Sequence, residues 1–251
     1  ADNAASDKQK KEKTTESALG VKPVTGSWIN LAYKDVRNKY TNPQSFDNMD
    51  SKLWEAKVRE LSAMGIEYLV LMEVANEGKS YYPSQIMPWW YNKDKKSPVD
   101  AILDEAAKHN MKIFMSSGWA KDQDDNLLDP AIKERQLRIM EELASLYKNH
   151  KAFYGWYLPV EDCLCPIFAE HAVQSVNTLS EKAKKLAPGK KTLISPYGIG
   201  LSEFDNPEYE KQMQKLKVDI IAYQDEVGCV RDQFTLPRLK KNWQRLHDIH
   251  N

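Results

Sequence analysis

The sequence has no surplus of charge in either sign: 36 Lys and Arg stand against 36 Asp and Glu in 251 residues. Proteins that bind nucleic acid backbones usually carry a basic excess, so nucleic acid is not an expected partner, although a local basic patch is compatible with this balance. No apolar run reaches the roughly 18 residues that a transmembrane helix needs. The G-x-G-x-x-G of dinucleotide folds is absent after the first strand-like run, where the residues are AYKDVRNKYTNP. The phosphate-cradling G-x-x-x-x-G-K-[ST], the G-x-S-x-G elbow and H-E-x-x-H are absent too, which argues against a P-loop, a serine hydrolase and that zinc-protease motif. Cysteine is scarce. Cys163, Cys165 and Cys229 are an odd set without repeated spacing, read as structural or incidental rather than as a disulfide framework. The five histidines, His109, His150, His171, His247 and His250, fall in or beside helical patterns, away from strand ends. A metal-dependent barrel would want them at strand ends, so neither metal nor cofactor is expected.

Aromatic residues are plentiful, with 7 Trp and 12 Tyr, and several stand where strands should end. Residues 1–22 read as a disordered polar tether, rich in Lys and too poor in large apolar groups to fold alone. Such a run resembles what remains after removal of an export signal. The expected location is secreted, periplasmic or cell-surface, with a lipid anchor upstream of residue 1 as one form.

From residue 23 to 251 the pattern is that of one α/β domain. Six apolar runs, at 24–31, 67–74, 112–119, 153–160, 192–199 and 219–227, alternate with amphipathic helical stretches. The first helix carries Trp54, Val58, Leu61 and Met64 on one face and stops at Gly65. The second opens at Ser97-Pro98 and the third, with Leu137, Met140, Leu143 and Leu146, at Asp129-Pro130. A fourth spans about 166–187, a fifth about 207–217, and the last begins near Leu236. Strand alternating with helix predicts a parallel sheet. Without a glycine-rich loop, a TIM-type (β/α) barrel is favoured over a doubly wound sheet. It is incomplete, with six recognisable strand–helix units where a closed barrel has eight.

In such a barrel, side chains at the carboxyl-terminal strand ends converge on the mouth. There the sequence offers Trp28, Asn30, Glu73, Trp119, Trp156, Glu161, Asp162, Ser195, Tyr197, Tyr223, Gln224, Asp225 and Glu226. Carboxylates from different strands among aromatic rings suit sugar chemistry. One carboxylic acid protonates the leaving oxygen, and a second carboxylate attacks or activates water. Glu161, directly after GWYLPV, is the first candidate and Asp225 the second. Asp162 and Glu226 compete with them, since neighbours along a strand face opposite ways. Trp28, Asn30, Glu73, Trp119, Trp156, Tyr197, Gln224 and Glu226 are the candidate substrate-binding residues. The expected partner is an oligosaccharide or polysaccharide. The alternative is a non-catalytic barrel in which Trp28, Trp119, Trp156 and Tyr197 stack on sugar; a third option is a lyase or isomerase of small sugars.

Five segments carry a family resemblance: GSWI at 26–29, MGIEYLVL at 64–71, YYPS at 81–84, FYGWYLPVE at 153–161 and AYQDEVG at 222–228. Over about 24–250 the chain resembles a family of glycosidase-like TIM-barrel proteins exported by gut bacteria and described as a domain of unknown function. The resemblance implies a (β/α)₈ barrel, a secreted or lipid-anchored location and a glycoside-hydrolase role, and it points to Glu161 and to Gln224 with Asp225. The chain departs from that pattern in its seventh and eighth strands. Many retaining barrel glycosidases carry their nucleophile at the end of strand seven, so the departure bears on activity.

Overall fold

The structure, a computed structural model, describes residues 22–31, 50–92, 95–122, 124–229 and 232–250. The expected tether over 1–22 lies outside the described residues, apart from Lys22. Six strands form one sheet: β1 (Gly26–Ile29), β2 (Tyr68–Leu71), β5 (Lys112–Ser116), β6 (Phe153–Tyr157), β7 (Lys191–Ile194) and β8 (Ile220–Ile221). All pairings between them are parallel, and they lie in chain order, β1-β2-β5-β6-β7-β8. The sheet curls into a half-barrel. A short antiparallel hairpin, β3 (Ala75–Asn76) and β4 (Lys79–Ser80), was not anticipated. Glu77 and Gly78 turn it with positive φ, 50° and 71°, the backbone that tight hairpin turns require.

Helices alternate with the strands: α1 (Ser51–Ala63), α2 (Pro98–Lys108), α3 (Pro130–Tyr147), α4 (Glu170–Leu186), α5 (Pro207–Lys215) and α6 (Leu236–His250). Their starts follow local chemistry. Asp50, Ser97, Asp129 and Asn206 each accept a backbone N–H of the first turn, and proline follows the last three. Ala169, before α4, offers no such oxygen. That helix starts at Glu170, later than the expected 166, because the preceding loop has its own architecture. Cys163 and Cys165 in it form a disulfide, which corrects their expected lack of pairing; Cys229 is free and exposed. Two expected stripes also need correction. α1 buries Trp54 and Val58 while Met64, past its end, is 75% exposed; on α3, Tyr147 takes the buried place expected of Leu146.

Period-two alternation divides the sheet's side chains between two layers. Leu69, Leu71, Ile113 and Met115 pack outward against the helices, whereas Val70, Phe114, Tyr157 and Leu193 form a separate cluster on the inner face. Burying each aliphatic side chain contributes about 1.5–3 kcal/mol, so the outer layer is the main source of stability. In β6 the alternation slips. Ile113 pairs with Phe153 but Phe114 pairs with Gly155, leaving Tyr154 as the extra residue of a bulge. Phe153 and Trp156 therefore face the helices, and Tyr154 and Tyr157 face inward. Gly155 is required there, since a Cβ would lie 2.6 Å from the Lys191 carbonyl oxygen and 2.7 Å from the Phe114 ring.

The YYPS segment anchors the loop after β4. The Tyr82 hydroxyl (2.7 Å) and Ser84 hydroxyl (2.6 Å) both donate to Glu142 of α3.

Candidate functional site

The carboxyl-terminal rim is assembled around the exit of β6. Ser117 N donates to the Tyr157 carbonyl (2.8 Å) and Leu158 N to that of Leu193 (2.9 Å), so the chain leaves the sheet held on both sides. Trp119, 5% exposed, donates from its indole to the Pro159 carbonyl at 3.3 Å. The β3–β4 hairpin fixes Trp119 from the other side, with Ala75 O accepting its backbone N–H at 3.0 Å. Beyond Glu161, the chain is tied to the exit of β7. Tyr197 N donates to Asp162 O (3.3 Å) and Leu164 N to Tyr197 O (2.8 Å). The disulfide rests on Gly198, at φ +90°, where a Cβ would meet Cys165 Sγ at 2.5 Å.

Glu161 is an exposed residue of the rim that lines a cleft. Desolvation lifts its carboxyl above the ordinary glutamate range, and the Tyr157 hydroxyl, donating at 3.0 Å, opposes that rise. Tyr157 is itself pushed far upward, first by burial and then by the charge of Glu161, with Glu73 adding a smaller push, so it stays a donor. Trp28, 40% exposed, stands edge-on to the Tyr157 ring at 6.3 Å. Glu73 is fully buried and accepts Leu31 N at 2.9 Å.

Glu161 lines a cleft of about 470 Å³ between the loops after β5 and β6. Trp119, Asp162, Asp125 and His171 line it as well. His171 corrects the expectation that histidines stay away from the mouth: from the first turn of α4, its Nε2 lies 3.0 Å from Asp162 Oδ2. Asp125, in the loop after β5, has its carboxyl raised by desolvation and accepts Lys121 N at 2.8 Å. Sequence reasoning missed both. Asp125 sits in an acidic loop, DQDD, that carries no periodic signal.

The other expected residues disperse. Trp156 is a correction: it is wholly buried on the helix side, edge-on to Phe153 at 5.1 Å, because the bulge inverts the parity of β6. Tyr157 takes the inward place. Asn30 is exposed at the end of β1. Tyr197 is half-buried and held above its usual range by desolvation, with Asp162, Glu226 and Glu161 contributing in that order. Glu226, at φ 53°, accepts Gly198 N, and Gln224 donates to Ser195 O at 2.8 Å. Asp225 is exposed, accepts Val227 N at 3.2 Å and is not among the residues lining the Glu161 cleft. Among the described residues, no cluster of three or more His, Cys, Asp or Glu could hold a metal ion, and no helix is long and apolar enough to cross a membrane.

A curled sheet of parallel strands, outer helices and carboxylates at the carboxyl-terminal rim define a TIM-barrel-type protein, present here as six strand–helix units. The chain belongs to the DUF4434 family, a domain of unknown function, which matches residues 24–251. No curated protein matches it. Among solved structures, it is similar to a candidate alpha-L-fucosidase from Bacteroides thetaiotaomicron VPI-5482. The two are 20% identical with a TM-score of 0.63, over 80% of this chain and 64% of that one. It is also similar to a beta-galactosidase from the psychrophilic Marinomonas ef1, 11% identical with a TM-score of 0.50, over 79% of this chain and 40% of that one. The chain thus spans less than two thirds of the length of either. At these identities the likeness establishes the barrel fold.

Proposed function

We propose that this chain is part of a glycoside hydrolase acting on oligosaccharide or polysaccharide, with Glu161 as general acid. The observation that carries the reading is Glu161 itself: a carboxyl at a strand exit, lining a cleft, raised by desolvation and fixed by Tyr157. A carboxyl shifted this way keeps its proton closer to neutrality, as a leaving-group donor must. Trp28 is the exposed ring for the apolar face of a sugar and Trp119 forms part of the cleft wall, with Tyr197, Asn30, Gln224 and Glu226 along the rim. Asp225 is the partner carboxylate of this reading, and Asp125 is its rival inside the cleft. The fold shared with a candidate fucosidase and a beta-galactosidase supports the class.

Turnover measured on unactivated oligosaccharides and on aryl glycosides with good leaving groups tests this. Glu161→Gln should lower turnover of the former by roughly 10²–10⁴-fold while largely sparing the latter, which need little protonation. Equal turnover by parent and variant on the unactivated substrate would overturn the assignment.

The solvent-facing position of Asp225 favours a second reading, a carbohydrate-binding barrel without hydrolysis. It wins if the parent hydrolyses nothing, binds a mixture of oligosaccharides and loses that binding in Trp28→Ala. We further propose export from the cell to the periplasm, surface or medium. The Cys163–Cys165 pairing, which an oxidising compartment favours, and the polar Lys-rich run at 1–20 support it. Recovery of the protein only in the cytoplasmic fraction would contradict it.

A further inference from the structure

At the opposite end of the half-barrel, where strands begin, four lysines surround a second cavity. It measures about 330 Å³ and is lined by Lys112 at the start of β5, Lys151 before β6, and Lys190 and Lys191 at the start of β7. Among the described residues, none of the four forms an ion pair, and the hydrogen bonds they make go to neutral acceptors. Lys112 donates to the Tyr68 hydroxyl (2.9 Å), Lys151 to Asn110 Oδ1 (3.1 Å) and the Ala107 carbonyl (3.4 Å), and Lys190 to the Phe153 carbonyl. Glu67, exposed, is the carboxylate that acts on Lys112. Several lysines elsewhere do face carboxylates, among them Lys182 with Glu141, Lys217 with Glu181 and Lys241 with Asp205. The positive cluster is therefore local, in a chain whose formal charge sums to zero.

Aromatic rings flank two of these ammonium groups. Lys112 Nζ stands 4.7 Å from the centre of the Tyr68 ring and 5.3 Å from that of Tyr154, and Lys190 Nζ stands 5.2 Å from that of Phe153. An ammonium has three donors, so Lys112 and Lys190 each keep two spare and Lys151 one. We propose that this cavity is a binding site for a tetrahedral oxyanion, the sulfate or phosphate ester of a small molecule. A sulfate or phosphate ester presents three acceptor oxygens to the donors left on these lysines, where a planar carboxylate presents two. The volume lies at the low end of the roughly 300–1,000 Å³ range of small-molecule sites. Desolvation also holds the Lys190 ammonium below its ordinary pKa with no opposing carboxylate, a cost that an anion would offset. The site is independent of the glycosidase reading.

Calorimetry at constant ionic strength, with sodium chloride as balancing salt, tests it with four probes: inorganic sulfate, inorganic phosphate, glucose 6-sulfate and glucose 6-phosphate. Saturable binding of a sulfate or a phosphate probe is expected, and the stronger pair identifies the ester. Lys190→Gln and Lys112→Gln should each weaken binding by about tenfold, the loss of one charge-assisted hydrogen bond. Lys182→Gln, on the outer surface of α4, should leave it unchanged. If Lys190→Gln fails to fold, Lys151→Gln carries the same expectation. Heats indistinguishable from those of chloride, or equal weakening in Lys182→Gln, would overturn the site.

Discussion

Glu161 feels two opposed influences, desolvation pushing its proton affinity up and the Tyr157 hydroxyl pulling it down, and desolvation wins. This has a consequence for stability. Between the ordinary glutamate value and the raised one, the folded chain still holds a proton that the unfolded chain has released. Folding takes up that proton, so stability falls as pH rises through this window. Glu161→Gln removes the effect. Urea melts across pH 4 to 8 should show the variant at least as stable as the parent at neutral pH, with the gap closing as pH falls through the window. The opposite trend, a variant weaker at neutral pH, would mean that the carboxylate is stabilised rather than desolvated. Glu161 was legible because a strand pattern ending in Pro-Val places the next acid at the rim. Its partner Tyr157 was not: which of two adjacent aromatics faces inward depends on a hydrogen-bond register with β5, and register is not written in β6 alone. His171 was misjudged for a related reason. A first-turn residue of a helix that follows a long rim loop can reach back over the mouth, and helical periodicity carries no record of that.

At the scale of elements, helix starts were the most readable feature, since Ser97-Pro98 and Asp129-Pro130 combine an oxygen acceptor with a proline that needs no N–H partner. Asp129→Ala, which loses the acceptor for Ala131 N at 2.8 Å, should cost about 1 kcal/mol. Ala169→Ser should gain up to about 1 kcal/mol by supplying the oxygen that α4 lacks. Chemical denaturation of both variants checks the pair, and a loss in Ala169→Ser would show that its loop cannot hold a capping rotamer. Strand ends were less readable. The nine residues 219–227 look like one strand, yet only Ile220 and Ile221 pair with β7. Beyond them the chain spends its polar groups on Ser195, Pro196 and Gly198, which a single-segment pattern does not reveal. The β3–β4 hairpin was hidden in the same way, its turn at Glu77-Gly78 lying too close behind β2 for alternation to register.

For the whole molecule, the six-unit count and the sequential arrangement were both legible, because βαβ crossovers have one hand and consecutive strands tend to be neighbours. The result is a sheet in which each strand pairs only with its predecessor and successor among the six. No strand waits for a distant part of the chain to arrive. Assembly can therefore proceed like the growth of a repeat array, from one well-packed pair outward in both directions. β5 and β6, five residues each and the longest of the set, are the natural starting pair. Pulse-labelled hydrogen exchange during refolding should find amide protection first in β5 and β6, and last in β1 and β8. Protection that appears in all six strands at once would indicate a single concerted step. In the stepwise case the half-barrel would widen from its centre, taking on β2 and then β1 along one edge and β7 and then β8 along the other.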